Sequence, residues 1–111
     1  MSKAKSVLLT GFEAFGKTPI NPAERVARAL HETTIDQTEV VSKIVPNIFF
    51  TSIEVVQEAI ETYTPEIVMM LGEYGGRSMI TVERICHNFN DSARYGLADN
   101  AGTVSYTHLR A

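Results

Sequence analysis

One cysteine stands in 111 residues, and there is no tryptophan. A lone cysteine excludes an intrachain disulfide and a cysteine-based zinc site, and it fits a reducing, cytoplasmic setting. Positive charge is also scarce. Ten Lys and Arg face 13 Asp and Glu, for a net charge of −3. A nucleic-acid footprint needs a concentrated positive field, so nucleic acid is not an expected partner. No apolar run approaches membrane-spanning length, and the N-terminus lacks the apolar stretch and cleavage site of a signal peptide. No repeat or low-complexity stretch occurs. What remains is 44% hydrophobic and 21% charged residues, ordinary for one globular domain. A chain of this length buries roughly 65% of the surface its unfolded form exposes.

The pattern alternates strand and helix. Residues 6–10, reading SVLLT, form a short apolar run closed by Gly11, as expected of a strand covered on both faces. Asn21-Pro22-Ala23-Glu24 combines a good N-cap, proline at the first helical position and a capping-box glutamate. Val26, Ala29 and Leu30 then recur at helical spacing. Residues 39–45 are β-branched and predict a second strand, ended by Pro46. Thr51 and Glu54 resemble a second capping box, with Ile53, Val56, Ile60 and Tyr63 on one helical face. Pro65 stops that helix, and residues 66–71 predict a third buried strand before Gly72. Residues 80–85 predict a fourth, and residues 88–102 a polar loop. The order implies a parallel α/β sheet. In such sheets ligands bind beyond the carboxyl ends of the strands. The loops at residues 11–20 and 72–78 therefore share one edge.

Three groups on that edge could carry chemistry. Glu83, among Ile80, Val82 and Ile85, could orient a histidine or titrate near neutrality. The plain alternative is a solvated glutamate paired with Arg77 or Arg84, which the pattern alone favours. Phe12 and Phe15 could clasp a flat apolar ring or fold back onto the core. Gly72-Glu73-Tyr74-Gly75-Gly76-Arg77-Ser78 could cradle an anion, yet it is no Walker A loop, and residues 11–16 lack the middle glycine of a dinucleotide fingerprint. Cys86 and His87 are adjacent; on a strand they point to opposite faces and make a poor nucleophile–base pair. Cys86 is expected as a small core hydrophobe. His31 is expected to be solvated, and His108 lies in the terminal segment.

Three blocks resemble the pyroglutamyl peptidase I family, also called pyrrolidone-carboxylate peptidases. They are Leu8-Leu9-Thr10-Gly11-Phe12-Glu13-Ala14-Phe15-Gly16 with Asn21-Pro22; Val45-Pro46 leading to Phe49; and the stretch 72–85 followed by Asn88. The resemblance spans about residues 7–102. It implies an open, mostly parallel twisted sheet flanked by helices in three layers, here truncated. It also implies a cysteine peptidase that removes an N-terminal pyroglutamyl residue, with a Cys–His–Glu triad and no metal or organic cofactor. Glu83 matches the glutamate that orients the histidine. Phe12 and Phe15 match the phenylalanines around the pyrrolidone ring. Glu73, where relatives often carry Gln, lies at the pocket rim, and Arg94 matches an arginine that polarises the carbonyl. Expected partners are peptides with N-terminal pyroglutamate, with homo-oligomers among full-length members.

The family's nucleophilic Cys and its His lie in a half that this chain does not match, so both are expected to be absent here and the chain inactive alone. Cys86 stands where the family has a small residue. Residues 1–102 are expected to be the N-terminal half of one peptidase domain, and residues 103–111 a foreign tail. The competing readings are a small phosphate- or nucleotide-binding α/β module using residues 72–78, and a non-catalytic interaction protein on the same sheet.

Overall fold

The computed structural model describes residues 5–16, 18–85, 89–91, 99–102 and 106–108, the segments 89–91 and 106–108 by backbone alone. In chain order the elements are β1 (Ser6–Phe12), α1 (Pro22–Leu30), β2 (Thr34–Ile35), β3 (Thr38–Val45), α2 (Thr51–Tyr63), β4 (Ile67–Leu71), β5 (Phe89–Asp91) and β6 (Tyr106–His108). Four strands form one sheet in the order β2-β3-β1-β4. β1 pairs in parallel with β3 on one side and β4 on the other. β2 is antiparallel to β3, and β5 pairs with β6 antiparallel in a separate ribbon.

β1 is the centre of the core. Residues 8–11 are all buried, so both of its faces are covered. Successive strand residues point to opposite faces. Leu9 packs with Ala27 of α1 and Val40, whereas Leu8 packs with Ala59 of α2 and Val41. The two helices therefore lie on opposite sides of the sheet, which gives the three layers expected of a doubly wound α/β unit.

The helices meet the sheet through smaller residues than their apolar periodicity suggests. In α1 the buried stripe is Ala23 and Ala27, with Leu30 beside it, while Val26 and Ala29 are exposed. The reason is close approach: a Cβ on Gly11 would run into the Ala23 carbonyl and lie 3.1 Å from Ala27 Cβ. In α2 the packed residues are Ala59 and Tyr63; Ile53 and Ile60 are exposed.

Asn21 caps α1 as expected, its side chain accepting from Ala23 N at 2.9 Å, but Glu24 faces Arg28 at 3.5 Å rather than closing a capping box. The second capping box is absent. Phe50 occupies the N-cap of α2 with no side-chain cap, and Thr51 already lies in the first turn. The amides there are taken up by main-chain carbonyls, Ser52 N by Ile48 O at 3.0 Å and Glu54 N by Phe50 O at 3.2 Å. The sequence pattern also missed the β2–β3 hairpin. Its turn places Asp36 and Gln37 at φ 46° and 66°, a mirror-image turn made without the usual glycine.

The expected fourth strand is not formed. Residues 80–85 are irregular, with Ile80 99% and Val82 93% exposed. Their apolar alternation has no ladder partner among the described residues, and a strand needs one. Residues 89–91, expected in a loop, are β5. β4 was expected to be buried, yet Ile67, Met69 and Met70 are exposed. It stands at the end of the four-stranded sheet with no charged residue in IVMML. Such an edge invites further strand pairing.

Two outcomes follow from this packing. Gly11→Ala is expected to lower stability by about 1–3 kcal/mol, because the clash is with backbone that cannot rotate away; an unchanged urea midpoint would contradict the close approach. The 111-residue chain is expected to self-associate through β4. Met70→Lys should then lower the associated fraction in sedimentation velocity while leaving the far-ultraviolet dichroism intact.

Candidate active site

The crossovers reverse at β1: α1 connects it to β3, and α2 carries the chain from β3 back past β1 to β4. β1 leads through α1 to β3 on one side, and β4 lies on the other side, with Gly11 opposite Leu71 in the register. The crevice of a doubly wound sheet lies at this reversal, beyond the carboxyl ends. The structure brings Phe12, the last residue of β1, Phe15 in the loop that follows it, and Glu73 in the loop after β4 to that edge. Phe12, Phe15 and Glu73 are all half-buried. The rings are neither withdrawn into the core nor free in solvent.

A polar network fixes the β1 loop. Glu13 N donates to Val45 O at 3.1 Å, extending the strand contact by one residue. Glu13 O accepts from Asn21 Nδ2 at 3.2 Å, and Asn21 is fully buried. Glu13 Oε1 accepts from Asn47 N at 3.1 Å and from Asn100 Nδ2 at 2.7 Å. Asn100 Nδ2 also donates to Ala14 O at 2.9 Å, and Asn100 N to Asn47 O at 2.8 Å. Asp99 Oδ2 accepts from Phe49 N at 2.8 Å. Sequence reasoning did not single out Glu13, Asn47, Asp99 or Asn100. Their roles depend on contacts up to 87 residues apart, which no local spacing reveals.

Glu83 departs from the expectation of a partly apolar strand environment. Its side chain is 80% exposed and pairs with Arg77 Nη1 across 3.7 Å. This is the plain alternative, a solvated carboxylate beside Arg77; among the described residues no sheet packs against 80–85. Arg77 also donates to Thr81 Oγ1 at 2.9 Å and lies 4.3 Å over the Tyr74 ring. The cation of the glycine-rich loop is thus already engaged, and no described helix follows to offer amides to an anion. His31 is held rather than merely solvated: its Nδ1 accepts from Ser42 N at 2.8 Å. Arg94, Cys86 and His87 lie outside the described residues, and His108 is described by backbone alone. No group of three metal-ligating side chains occurs among the described residues, and no described helix is long and apolar enough to cross a membrane.

The fold is a doubly wound α/β unit in which the segment after β1 and the glycine-rich segment after β4 leave the same carboxyl edge of the sheet. The sequence model of the pyroglutamyl peptidase family matches residues 5–108, and the chain belongs to that family. It is 57% identical over 98 residues to a pyrrolidone-carboxylate peptidase of Mycobacterium tuberculosis, covering 88% of this chain and 44% of the relative. A Bacillus cereus pyrrolidone-carboxylate peptidase is 50% identical over the same length and coverage. The solved pyroglutamyl peptidase I of Bacillus amyloliquefaciens superimposes with a TM-score of 0.86 at 36% identity, over 93% of this chain and 48% of that one. The pyrrolidone carboxyl peptidase of Pyrococcus furiosus gives 0.87 at 36% identity, over 93% and 49%. The chain therefore spans about half the length of the relatives it matches.

The exposed pair predicts an energetic result. Screened surface ion pairs contribute little. Glu83→Gln in this chain should change unfolding stability by less than about 0.5 kcal/mol, checked by urea titration; a larger loss would mean that the Arg77 contact organises the 72–85 stretch.

Proposed function

We propose that this chain supplies the ring-binding loops and the catalytic carboxylate of a cysteine peptidase that removes N-terminal pyroglutamyl residues from peptides. The observation that carries the reading is the end of β1 with the loop after it, where two half-buried phenylalanines flank a glutamate bonded to two other segments at the carboxyl edge of a family-matched sheet. A pyroglutamyl group is a flat, neutral lactam. It suits aromatic walls and hydrogen-bonding groups rather than a receptor for a charged amine. Phe12 and Phe15 are those walls, and Glu73 stands at the rim.

The chemistry is acyl transfer. A thiolate attacks the pyroglutamyl carbonyl carbon, the peptide C–N bond breaks as an imidazolium gives its proton to the leaving amine, and water then hydrolyses the thioester. Nucleophile and base both lie outside this chain; Cys86 is neither. Glu83 orients the imidazole and stabilises its charged form. Arg77 engages its Oε1, which leaves Oε2 for that task. Arg94 polarises the carbonyl. No metal or organic cofactor takes part. The full-length protein acts on peptides in the cytoplasm as a homo-oligomer. Residues 1–102 are half of one peptidase domain, and residues 103–111 are read as foreign to it, which the coding sequence beyond codon 102 tests.

The experiment joins residues 1–102 to the remainder of the 57% identical mycobacterial relative. The hybrid should cleave a pyroglutamyl amide, and the 111-residue chain alone should not. In the hybrid, Glu83→Gln should lower kcat by about 10²–10⁴. Phe12→Ala or Phe15→Ala should cost about 1–3 kcal/mol, seen mainly in KM. Turnover by the chain alone that Cys86→Ser abolishes would overturn the assignment of the nucleophile. A Glu83→Gln rate within twofold would make Glu83 a surface residue only.

A further inference from the structure

We propose that Glu13 is the positioning residue of this site: its carboxylate sets the geometry of the phenylalanine loop against the two neighbouring segments, and thereby sets affinity for the pyroglutamyl ring. The proposal rests on the ring-pocket reading of Phe12 and Phe15.

β1 ends at Phe12, and beyond the one further contact from Glu13 N to Val45 O the sheet no longer dictates the backbone. Glu13 lies directly after one ring and two residues before the other. Its amide and carbonyl are tied to Val45 and Asn21, which fixes its own backbone between β3 and the start of α1. Its Oε1 then joins two further segments, the β3–α2 loop through Asn47 N and the 99–102 turn through Asn100 Nδ2. Asn100 closes the arrangement by also binding Ala14 O and donating its amide to Asn47 O. The segment between the two rings, from the end of β1 into the loop, is thus held at Glu13 and Ala14 by bonds that pass through one carboxylate oxygen and one amide group. Hydrogen bonds to a charged acceptor are stronger than neutral ones, and Glu13 Oε1 accepts two, at 2.7 and 3.1 Å.

A second observation locates strain in the same place. Phe50 has φ 64° and ψ −42°, and Thr51 N donates to Phe49 O at 2.7 Å, a tight γ-turn with positive φ on a bulky residue. Such turns are rare and strained, and strain of this kind persists only where surrounding bonds over-determine the backbone. Those bonds are present on both sides of the β3–α2 loop: Glu13 holds Asn47, and Asp99 holds Phe49. Glu13 is therefore placed to keep two loops of the edge in register, without a position of its own against the reacting carbonyl.

The test uses the active hybrid described above. Glu13→Ala should raise KM for a pyroglutamyl amide about tenfold, the scale of a lost charge-assisted bond, with kcat within about threefold. Asn100→Ala, which removes one partner from an exposed position, should raise KM in the same direction, and the double variant should be no worse than the poorer single one. Glu13→Gln retains an Oε1 acceptor and should restore KM to within about threefold of the parent. A purely structural role would instead lower the unfolding midpoint and the active fraction and leave KM unmoved. An unchanged KM in both Glu13→Ala and Asn100→Ala overturns the proposal, and so does a fall confined to kcat. If Glu13→Ala does not fold, Asn100→Ala and Glu13→Gln decide by the same criterion. Phe12→Ala and Phe15→Ala run in parallel. If they raise KM and the Glu13 and Asn100 variants do not, the positioning role alone fails; if no phenylalanine variant moves KM, the pocket reading fails and this one falls with it.

Discussion

The burial of four consecutive residues of β1 between two helices is the constraint on which the rest of the molecule depends. A strand covered on both faces is built mainly of apolar and small residues and lies inside the sheet rather than at its edge. Residues 8–11 meet both conditions, with Thr10 as their one buried polar side chain. The contact is tightest at Gly11, where the Ala23 carbonyl occupies the space of a side chain. Because α1 sits so close, its positions facing Gly11 are alanines, and Val26 turns outward while Leu30 packs beside them. The end of β1 is thereby fixed relative to the start of α1, with buried Asn21 serving both as helix cap and as a bond to the loop.

Beyond that point side-chain hydrogen bonds take over from the sheet ladder. Glu13, Asn21, Asn47, Asp99 and Asn100 connect four segments around the carboxyl edge. A loop that carries binding residues gains from such ties, since an aromatic wall is useful only where its position is set before the ligand arrives. The same edge carries the strained backbone at Phe50, which is consistent with bonds on either side holding it.

The opposite side of the sheet has a different character. β4 is apolar, uncharged and exposed, and residues 72–85 continue from it without forming a strand. The relatives matched here extend to about twice the length of the match. A parallel edge with exposed methionines and no strand partner among the described residues is a surface that gains free energy when covered. Glu83 shares this exposure: its environment depends on what lies against residues 80–85, and in this chain solvent and Arg77 fill that role.

Much of the architecture could be read from local pattern. The runs at residues 6–10, 39–45 and 66–71, the Asn21-Pro22 cap and Pro65 place three parallel strands and two helices, because strand and helix periods and cap chemistry act over a few residues. The family blocks, carried by short motifs, were equally plain. Three features were not accessible in this way. The buried face of α1 differs from its apolar periodicity because close approach at Gly11 rewards alanine over valine. The strand at residues 80–85 was expected from its alternation, yet alternation does not supply a ladder partner. The Glu13–Asn47–Asn100 knot joins residues separated by 34 and 87 positions, and only the folded sheet brings those loops together. Periodicity and capping are properties of neighbouring residues; packing distance, strand pairing and the polar ties at the carboxyl edge belong to the assembled tertiary structure.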